Sequence, residues 1–439
     1  MTESRSLPPV AERFLRYVRI DTASDRDSTS TPSTEKQKDL SRLLAVELRE
    51  LGLPDAAMDD HGYVYATLPS TLPESEAAAT PTVALLAHVD TSQDEPGGPV
   101  RPLIHRDYDG SVIELPGEAP GGRRVRLDPA QSPALLEHIG HDLITSDGTT
   151  LLGSDDKAGC AVILQAVADL LADPSLPRPP VRVCFTVDEE IGRGVDHLDL
   201  ERLGADVAYT IDGSGTGTIS YETFNAAQAV IEVTGVNVHP GYAKGVMANA
   251  VTILSGILAE LPAGEAPETT AGREGYYCAL EASGTIAAAR AKLLLRDFTS
   301  EGLAARQQWL ERLVEATRER HPRARIEVRI TDQYKNMKDY IEAQDARTVA
   351  FAFAAAREMG IDLEAELVRG GTDGSRLSEL GLPTPNVFDG GYDYHSRFEW
   401  NSVQNLEASL AYVKRLLGYW AEHGREEQRP ARDPSPSGR

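Results

Sequence analysis

The chain has 439 residues, more than one hydrophobic core usually serves, which favours two domains. Its composition, 41% hydrophobic and 26% charged, is that of a folded globular protein and excludes a largely disordered one. A formal net charge of −24 would repel nucleic-acid phosphates and anionic membranes, so we expect neither as a partner.

Strands alternate with helices in the first half of the chain. Apolar residues at helical spacing predict helices over 8–20, from Thr34 onward and over 159–171. In the second of these helices the predicted buried stripe is Leu40, Leu43, Leu44, Val46 and Leu48. Short apolar runs predict buried strands at 83–87, 181–187 and 207–211. This order predicts an α/β sheet with helices on both faces.

The pattern changes near Phe224. Predicted strands at 227–233, 292–296 and 325–330 alternate with predicted helices at 248–261 and 301–320, which indicates a small α+β layer. Helical patterns resume at 348–356 and 406–417. We therefore predict a discontinuous first domain over 1–223 and 337–424, with a domain inserted over 224–336. The tail, 425–439, is rich in Arg, Pro, Ser and Glu and is predicted to be disordered.

The cysteines and the N-terminal segment indicate the cellular compartment of the protein. Cys160, Cys184 and Cys278 stand singly, without a CxxC pair, which indicates a reducing compartment without disulfides. Cys160 and Cys184 lie in apolar runs and are predicted core residues. No apolar signal core follows Met1, and no segment approaches the ~20 apolar residues of a membrane span. We predict a cytoplasmic protein.

Polar residues follow each predicted buried strand of the first domain. The groups are His88 and Asp90, Asp155 and Asp156, Glu189 and Glu190, Asp212, and the late His395. The first, third and fourth groups come directly after strands, and the second opens the central helix. In an open α/β sheet, ligands bind at this carboxyl edge of the strands.

Two zinc ions about 3.5–4 Å apart need a bridging carboxylate with nitrogen and oxygen ligands on each side. His88 and His395 supply imidazoles, Glu190 and Asp212 supply carboxylates, and Asp155 is suited to bridge.

Two further carboxylates have roles beside the ligands. Asp90, two residues beyond His88 on the same face of a strand, is placed to orient the imidazole. Glu189 then remains as the general base that takes a proton from the zinc-activated water.

Each group also has an ordinary structural interpretation. A His-x-Asp sequence can form a hydrogen-bonded turn, and Asp155 with Asp156 can cap a helix. Glu189 and Glu190 can form a solvated face, Asp212 with Gly213 an ordinary turn, and His395 can be structural. Their joint placement at strand and helix ends favours the metal site.

The order of these motifs resembles the co-catalytic zinc exopeptidases, which include carboxypeptidase G, aminoacylase and succinyl-diaminopimelate desuccinylase. Further stretches are similar to one branch, the peptidase T family of tripeptide aminopeptidases. These stretches are 147–159, 209–213, 237–247, 296–298, 369–374 and 390–395. The resemblance spans about residues 10–420, although residues 392–400, around His395, depart in part from the family's pattern.

The resemblance implies a zinc-exopeptidase catalytic domain with a mixed sheet flanked by helices, interrupted by a lid that dimerises. It implies two zinc ions per subunit, with cobalt or manganese as alternatives. One ion would be bound by His88, Asp155 and Asp212, and the other by Asp155, Glu190 and His395. Glu189 would be the base and Asp90 the orienting residue. His239, on the lid, would reach the neighbouring subunit's site and stabilise the oxyanion.

Two further residues are candidates for substrate binding. By resemblance, Arg369 would grip the C-terminal carboxylate of the peptide, which would select tripeptides by length. An internal salt bridge, for instance to Asp373, is the structural alternative. Asn336 lies at the expected hinge between lid and core and is a second candidate contact.

The predicted function is removal of the N-terminal residue from tripeptides. The alternatives are a dipeptidase or an N-acyl amino acid deacylase of the same family, or a non-catalytic dimeric scaffold. A nucleotide-binding enzyme is disfavoured, because neither GxGxxG nor GxxxxGK[ST] follows a predicted strand.

Overall fold

The computed structural model describes residues 6–119 and 121–425. The chain divides into two compact units. The first comprises Met1–Tyr221, Asp339–Glu366 and Thr372–Arg439, and the second comprises Glu222–Lys338 and Leu367–Gly371. Each unit has its own cluster of buried apolar residues. The tail predicted over 425–439 lies, apart from its first residue, outside the described residues.

The described chain contains both helices and strands. The helices are α1 (Pro9–Tyr17), α2 (Gln37–Glu50), α3 (Glu74–Ala77), α4 (Ser154–Ala172), α5 (Leu200–Leu203), α6 (Ala250–Ala259), α7 (Ser300–Arg320), α8 (Met337–Asp345), α9 (Arg347–Glu358), α10 (Asp373–Glu379) and α11 (Val403–His423). The strands of the first half are β1 (Ala57–Met58), β2 (Val64–Leu68), β3 (Val83–His88), β4 (Leu103–His105), β5 (Ile113–Ala119), β6 (Arg123–Leu127), β7 (Leu143–Thr145), β8 (Val181–Thr186) and β9 (Val207–Thr210). The later strands are β10 (Thr218–Thr223), β11 (Asn225–Thr234), β12 (Tyr276–Gly284), β13 (Ala288–Asp297), β14 (Arg325–Tyr334), β15 (Glu364–Val368), β16 (Asn386–Val387) and β17 (Trp400–Ser402).

A mixed sheet forms the centre of the first unit, in the order β1-β2-β8-β3-β9-β16-β10-β15. β3 runs parallel to both β8 and β9, and β16 runs parallel to β9, while β2 is antiparallel to β1 and β8 and β10 is antiparallel to β16. The predicted α/β class with a mixed sheet is confirmed. Within the described residues none of the helices combines the length and the hydropathy needed to cross a bilayer.

The three strands predicted from apolar runs are confirmed as β3, β8 and β9. Every residue of β3 is buried, as expected for a strand covered on both faces. Helix α4 packs on this sheet, and α1 and α11 pack on α4. One detail of the predicted helix stripes is wrong: the Val46 side chain is 40% exposed, whereas Leu40, Leu44 and Leu48 are buried.

The second unit is a four-stranded antiparallel sheet, β12-β13-β11-β14, with α6 and α7 packed on it. The sequence predicted three of these strands and missed β12. Most of β12 is exposed, and its residues include Glu281, Ser283 and Gly284, so it carries no apolar alternation that would mark it.

Gly159, in α4, lies against the backbone that directly follows β9. A Cβ added there would lie 2.2 Å from Ile211 O and 2.3 Å from Asp156 Oδ1. Helix propensity alone predicts that alanine stabilises this position, but the carbonyl is backbone and cannot move cheaply. We expect Gly159→Ala to lower the free energy of unfolding by roughly 1–3 kcal/mol, measured by urea denaturation.

Gly256→Ala is the matched control. Gly256 lies on α6, where an added Cβ meets nothing within 4 Å, so this change is expected to raise stability by up to about 1 kcal/mol. Equal effects of the two substitutions would contradict the close approach of α4 to the sheet.

Candidate metal centre

The candidate ligands gather where parallel strands end. His88 is the last residue of β3 and pairs with Thr186, the last residue of β8. On the other side, Leu86 pairs with Thr210, the last residue of β9. The segments that follow β8 and β9 therefore leave the sheet beside His88.

Two sets of donor atoms share the carboxylate of Asp155. In the first set, His88 Nε2 lies 2.8 Å from Asp155 Oδ1 and 3.5 Å from Asp212 Oδ1. In the second, His395 Nε2 lies 3.2 Å from Asp155 Oδ2 and 2.9 Å from Glu190 Oε2. Within each set the donor atoms lie within 4.8 Å of one another. The two oxygens of Asp155 thus face two different imidazoles, as a bridging ligand requires.

Asp90 contacts both the backbone of Glu189 and Glu190 and the imidazole of His88. Its carboxylate is fully buried and accepts hydrogen bonds from the backbone N–H groups of Glu189 (3.0 Å) and Glu190 (3.2 Å). His88 Nδ1 lies 3.0 Å from the Asp90 carbonyl oxygen and 3.4 Å from its carboxylate. A proton on Nδ1 satisfies these acceptors and leaves Nε2 as the ligand atom.

Asp156 ties strand β3 to helix α4. Its Oδ2 accepts the backbone N–H of His88 at 3.1 Å, and its Oδ1 accepts that of Gly159 at 3.0 Å. The peptide bond between Asp155 and Asp156 is cis. Sequence reasoning treated Asp156 only as part of a helix cap, whereas it links two elements of the site.

His395 is the most accessible of the candidate ligands, with 42% of its side chain exposed. Its φ of +58° is uncommon for a residue other than glycine, and such strain persists where the surroundings impose it. Asp94 Oδ2 lies 3.5 Å from its Nδ1. The preceding residue, Tyr394, is anchored by donating to Gly213 O at 2.9 Å.

Crowding of charges shifts the pKa values of these groups. Burial, followed by repulsion from the Asp155 carboxylate, raises the pKa of Glu190 to about 8. Hydrogen bonds to Asp155 and Glu190 raise the pKa of His395 to about 11. Burial raises the pKa of Asp212 to about 6, and burial with repulsion from Asp212 holds the pKa of Glu189 well above its usual range. A divalent cation would relieve this repulsion between carboxylates.

The residues fit a pair of metal ions. Glu190 Oε1 is buried and has no hydrogen-bond partner among the described residues, which leaves a lone pair for a cation. Imidazole nitrogen and carboxylate oxygen are donors that zinc accepts. The donor set and the orphaned oxygen both suit two ions on either side of Asp155.

Glu189, the predicted base, is half-buried beside the ligands. Its Oε1 accepts the backbone N–H of Asp373 at 3.3 Å, and the Asp373 carboxylate accepts the Thr186 hydroxyl at 2.8 Å. Asp373 was considered only as a salt-bridge partner for Arg369. Its place at the start of α10, beside the base, depends on the packing of α10 against the sheet.

The other three predicted site residues lie in the second unit. His239 is exposed in a 3₁₀ turn, and its Nδ1 accepts the backbone N–H of Gly241 at 3.1 Å. Asn336 is buried; its Oδ1 accepts from Thr223 N and Lys338 N, and its Nδ2 donates to Phe298 O, each at 3.0 Å. These three hydrogen bonds fix the Asn336 side chain, and the predicted substrate contact stays a prediction.

Arg369 is held within its own unit. Its Nη1 donates to Gly272 O at 2.8 Å and Glu274 O at 3.1 Å, and its Nη2 donates to Thr270 Oγ1 at 2.7 Å. The guanidinium also stacks over Phe224. These partners are neutral oxygens, so the alternative of an internal salt bridge is wrong for the described residues.

Sequence reasoning missed Glu399. This carboxylate is 1% exposed and accepts three backbone N–H groups from the loop that carries Asp155. A signal was available, since a glutamate between Phe398 and Trp400 is a charge within a buried aromatic segment.

Comparisons with known proteins identify the family of this chain. A family model described as the peptidase dimerisation domain matches residues 221–325. The chain is 44% identical to a peptidase T from Desulfitobacterium hafniense (strain Y51) over 413 residues, 94% of this chain and 98% of the relative. The chain belongs to the peptidase T family.

Solved structures share the fold at lower sequence identity. An aminopeptidase PepT from Bacillus cereus ATCC 10987 matches with a TM-score of 0.72 at 23% identity, and a tripeptidase from Staphylococcus aureus subsp. aureus Mu50 with 0.73 at 21%. A dinuclear metal-binding peptidase of the M20 family from Bacillus subtilis matches with 0.63 at 15%. Each covers 94% of this chain and 98% of the other. At these identities the likeness shows the fold.

The hydrogen bonds that the Asp90 carboxylate accepts predict how a substitution of Asp90 changes metal binding. Asparagine at this position would turn an NH₂ group toward an N–H donor and release either the loop of Glu189 and Glu190 or the imidazole of His88. We expect Asp90→Asn to weaken zinc binding by roughly 10–100-fold, measured by calorimetric titration. Asp196→Asn is the control, because Asp196 is exposed on the segment that follows Glu189 and Glu190. This variant should bind zinc as wild type does. Equal affinities for the two variants would contradict the role given to Asp90.

Proposed function

We propose that the protein is a two-metal aminopeptidase that removes the N-terminal residue from tripeptides. The observation that carries this proposal is the pair of donor sets that share Asp155, with Glu189 beside them. Membership of the peptidase T family supports it, as do the names of the structural neighbours, an aminopeptidase and a tripeptidase.

The proposed ligands divide as the donor sets do. His88, Asp155 and Asp212 hold one ion, and Asp155, Glu190 and His395 hold the other. Zinc is the proposed metal, and cobalt or manganese are alternatives that accept the same donors. When bound, the metal pair supplies a polarised scissile carbonyl, an activated water and a partner for the free amino end of the peptide.

Proton transfer is the proposed work of Glu189. Its carboxylate takes a proton from the attacking water and then gives it to the leaving amine. Burial keeps its pKa high, which makes the carboxylate a stronger base than an exposed glutamate. The backbone N–H of Asp373 holds Oε1, and Asp90 holds the Glu189 backbone, so the carboxylate keeps one orientation.

The inserted domain, 224–336, is proposed to act as a lid and to form a homodimer. The match of the dimerisation-domain model to residues 221–325 supports the second role. His239 is exposed on this domain, as a residue must be to reach a second subunit. In the proposed mechanism it enters the partner's site and donates to the oxyanion of the tetrahedral intermediate.

Selection of tripeptides rests on Arg369 in this proposal. Its Nε–H and one Nη2–H lie outside the three hydrogen bonds that hold it, and these two groups would bind the C-terminal carboxylate. Asn336 would brace the lid hinge. The proposed place of action is the cytoplasm, where short peptides are degraded and free cysteines such as Cys278 stay reduced.

The substrate series Leu-Gly, Leu-Gly-Gly and Leu-Gly-Gly-Gly tests the proposed function. We expect zinc-loaded protein to release leucine mainly from the tripeptide, and chelator to abolish the release because the ligands then have no ion. N-acetyl-Leu-Gly-Gly is the control and should not be cleaved, since its amino end is blocked. Cleavage only of the dipeptide, or only of acylated amino acids, would contradict the tripeptidase assignment. No cleavage at all would favour a non-catalytic scaffold.

Mixing two inactive variants tests the role of His239 in the partner's site. Glu189→Gln should lower kcat by roughly 10²–10⁴-fold, because it removes the base, and His239→Ala should lower it by removing an oxyanion donor. In a mixed dimer one site has both groups, His239 from one subunit and Glu189 from the other.

We expect unfolding and refolding the two variants together to restore leucine release that neither shows alone. A mixture with only the summed activity of its components, or a fully active monomer, would contradict the contribution from the partner.

A further inference from the structure

The segment that follows His395 lies across the loop that carries Asp155. We define this segment, residues 395–401, as the strap. Arg397 donates from Nε to Glu95 Oε2 at 2.7 Å and from Nη1 to the carbonyl oxygens of Gly148 and Thr149. The strap therefore contacts the beginning of the loop that leads into α4.

Farther along the strap, Asn401 reaches Ser154, the first residue of α4 and the residue before Asp155. Its Nδ2 donates to Ser154 Oγ at 2.8 Å, and its side chain is fully buried. The contacts at Gly148, Thr149 and Ser154 hold the strap against residues 148–155.

Glu399 makes the central contacts of the strap. Its Oε2 accepts the backbone N–H groups of Leu152 and Gly153, both at 2.8 Å, and its Oε1 accepts that of Asp155 at 3.1 Å. The carboxylate is 1% exposed. A buried carboxylate is costly to desolvate, and three N–H donors offset that cost only if the charge is retained.

These bonds bear directly on the metal ligands. The direction of the Asp155 carboxylate depends on the backbone of Asp155, which Glu399 holds through its N–H. The strap that carries Glu399 begins with His395, whose Nε2 faces Asp155 Oδ2 at 3.2 Å. One side chain thus connects two ligands that are 240 residues apart in the sequence.

We propose that Glu399 is a positioning residue that sets the bridging Asp155 against His395, so that the centre binds its two metal ions tightly. This inference rests on the two-metal centre of the proposed function. It adds a residue that binds neither metal nor substrate and acts through the backbone of the bridging ligand.

Glutamine at this position is the informative substitution. It has the size of glutamate but only one accepting oxygen. With that oxygen at the Oε2 position it keeps two hydrogen bonds and turns its NH₂ group toward the N–H of Asp155. The lost hydrogen bond is then the one from the bridging ligand, Asp155, while those from Leu152 and Gly153 are kept.

Arg397→Gln is the matched control on the same strap, because Arg397 contacts Gly148, Thr149 and Glu95 but not Asp155. If the strap matters only for stability, both substitutions should lower the melting temperature and neither should change metal affinity selectively.

The test is titration of full-length wild type, Glu399→Gln and Arg397→Gln with Zn²⁺ and Co²⁺, with thermal melts of the metal-free proteins. We expect Glu399→Gln to weaken metal binding by roughly 10–100-fold and to change the visible absorption of bound cobalt. Arg397→Gln should keep the wild-type affinity and cobalt spectrum. Should Glu399→Gln fail to fold, Glu399→Asp, which keeps the charge but is one methylene too short, is expected to show the same weakening.

Wild-type affinity and cobalt spectrum in the folded Glu399 variant would overturn the inference, as would an equal loss in Arg397→Gln. If wild type itself does not bind two ions, both this inference and the proposed two-metal function are overturned. If wild type binds two ions and the Glu399 variant binds them equally well, only the positioning role is overturned.

Discussion

The carboxylate of Asp155 faces two imidazoles, with Oδ1 2.8 Å from His88 and Oδ2 3.2 Å from His395. Sharing one carboxylate in this way requires three distant parts of the chain to meet with little freedom. The parallel register of β3, β8 and β9 brings the remaining ligands to the same edge. Helix α4 then has to start at that edge, which explains why Gly159 lies against the backbone of Ile211.

Placing the carboxylates of Asp155, Glu190 and Asp212 side by side has an electrostatic cost. Burial, with repulsion from the Asp155 carboxylate, raises the pKa of Glu190 and Asp212, and one oxygen of Glu190 is left without a hydrogen bond in the described structure. Such an arrangement disfavours the metal-free fold and favours a doubly charged cation. The surrounding residues reduce the freedom of the ligands rather than their charge, since Asp90, Asp156 and Glu399 all accept backbone N–H groups near them.

The second unit has contacts of a different kind. Arg369 donates to the neutral oxygen of Gly272 and stacks over Phe224, whereas Arg306 of the same unit pairs with the carboxylate of Asp297. The buried amide of Asn336 donates to Phe298 O. The first unit carries both sets of candidate metal ligands.

Much of the first unit could be predicted from local pattern. Apolar runs marked β3, β8 and β9, because a strand covered on both faces has almost no polar residue, and the polar residues directly after those runs marked the ligand edge. His395 was added from the donors that two zinc ions need and then from the family resemblance, since no local pattern connects it with Asp155. The predicted stripe was wrong at Val46, and β12 was missed, because exposed positions follow the packing of neighbouring elements rather than the residue's own hydropathy.

By itself, then, the sequence determined the α/β order of elements, the candidate ligands and the family, since each is written in residue type and spacing along the chain. Only the tertiary structure decided that Asp155 splits its oxygens between two imidazoles, that the Asp373 N–H donates to Glu189, and that Glu399 accepts the backbone N–H of Asp155. The hydrogen-bond partners of Arg369 and Asn336 likewise depend on the fold. The physical reason is that hydrogen bonds between residues hundreds of positions apart depend on packing and backbone direction, which local periodicity does not encode.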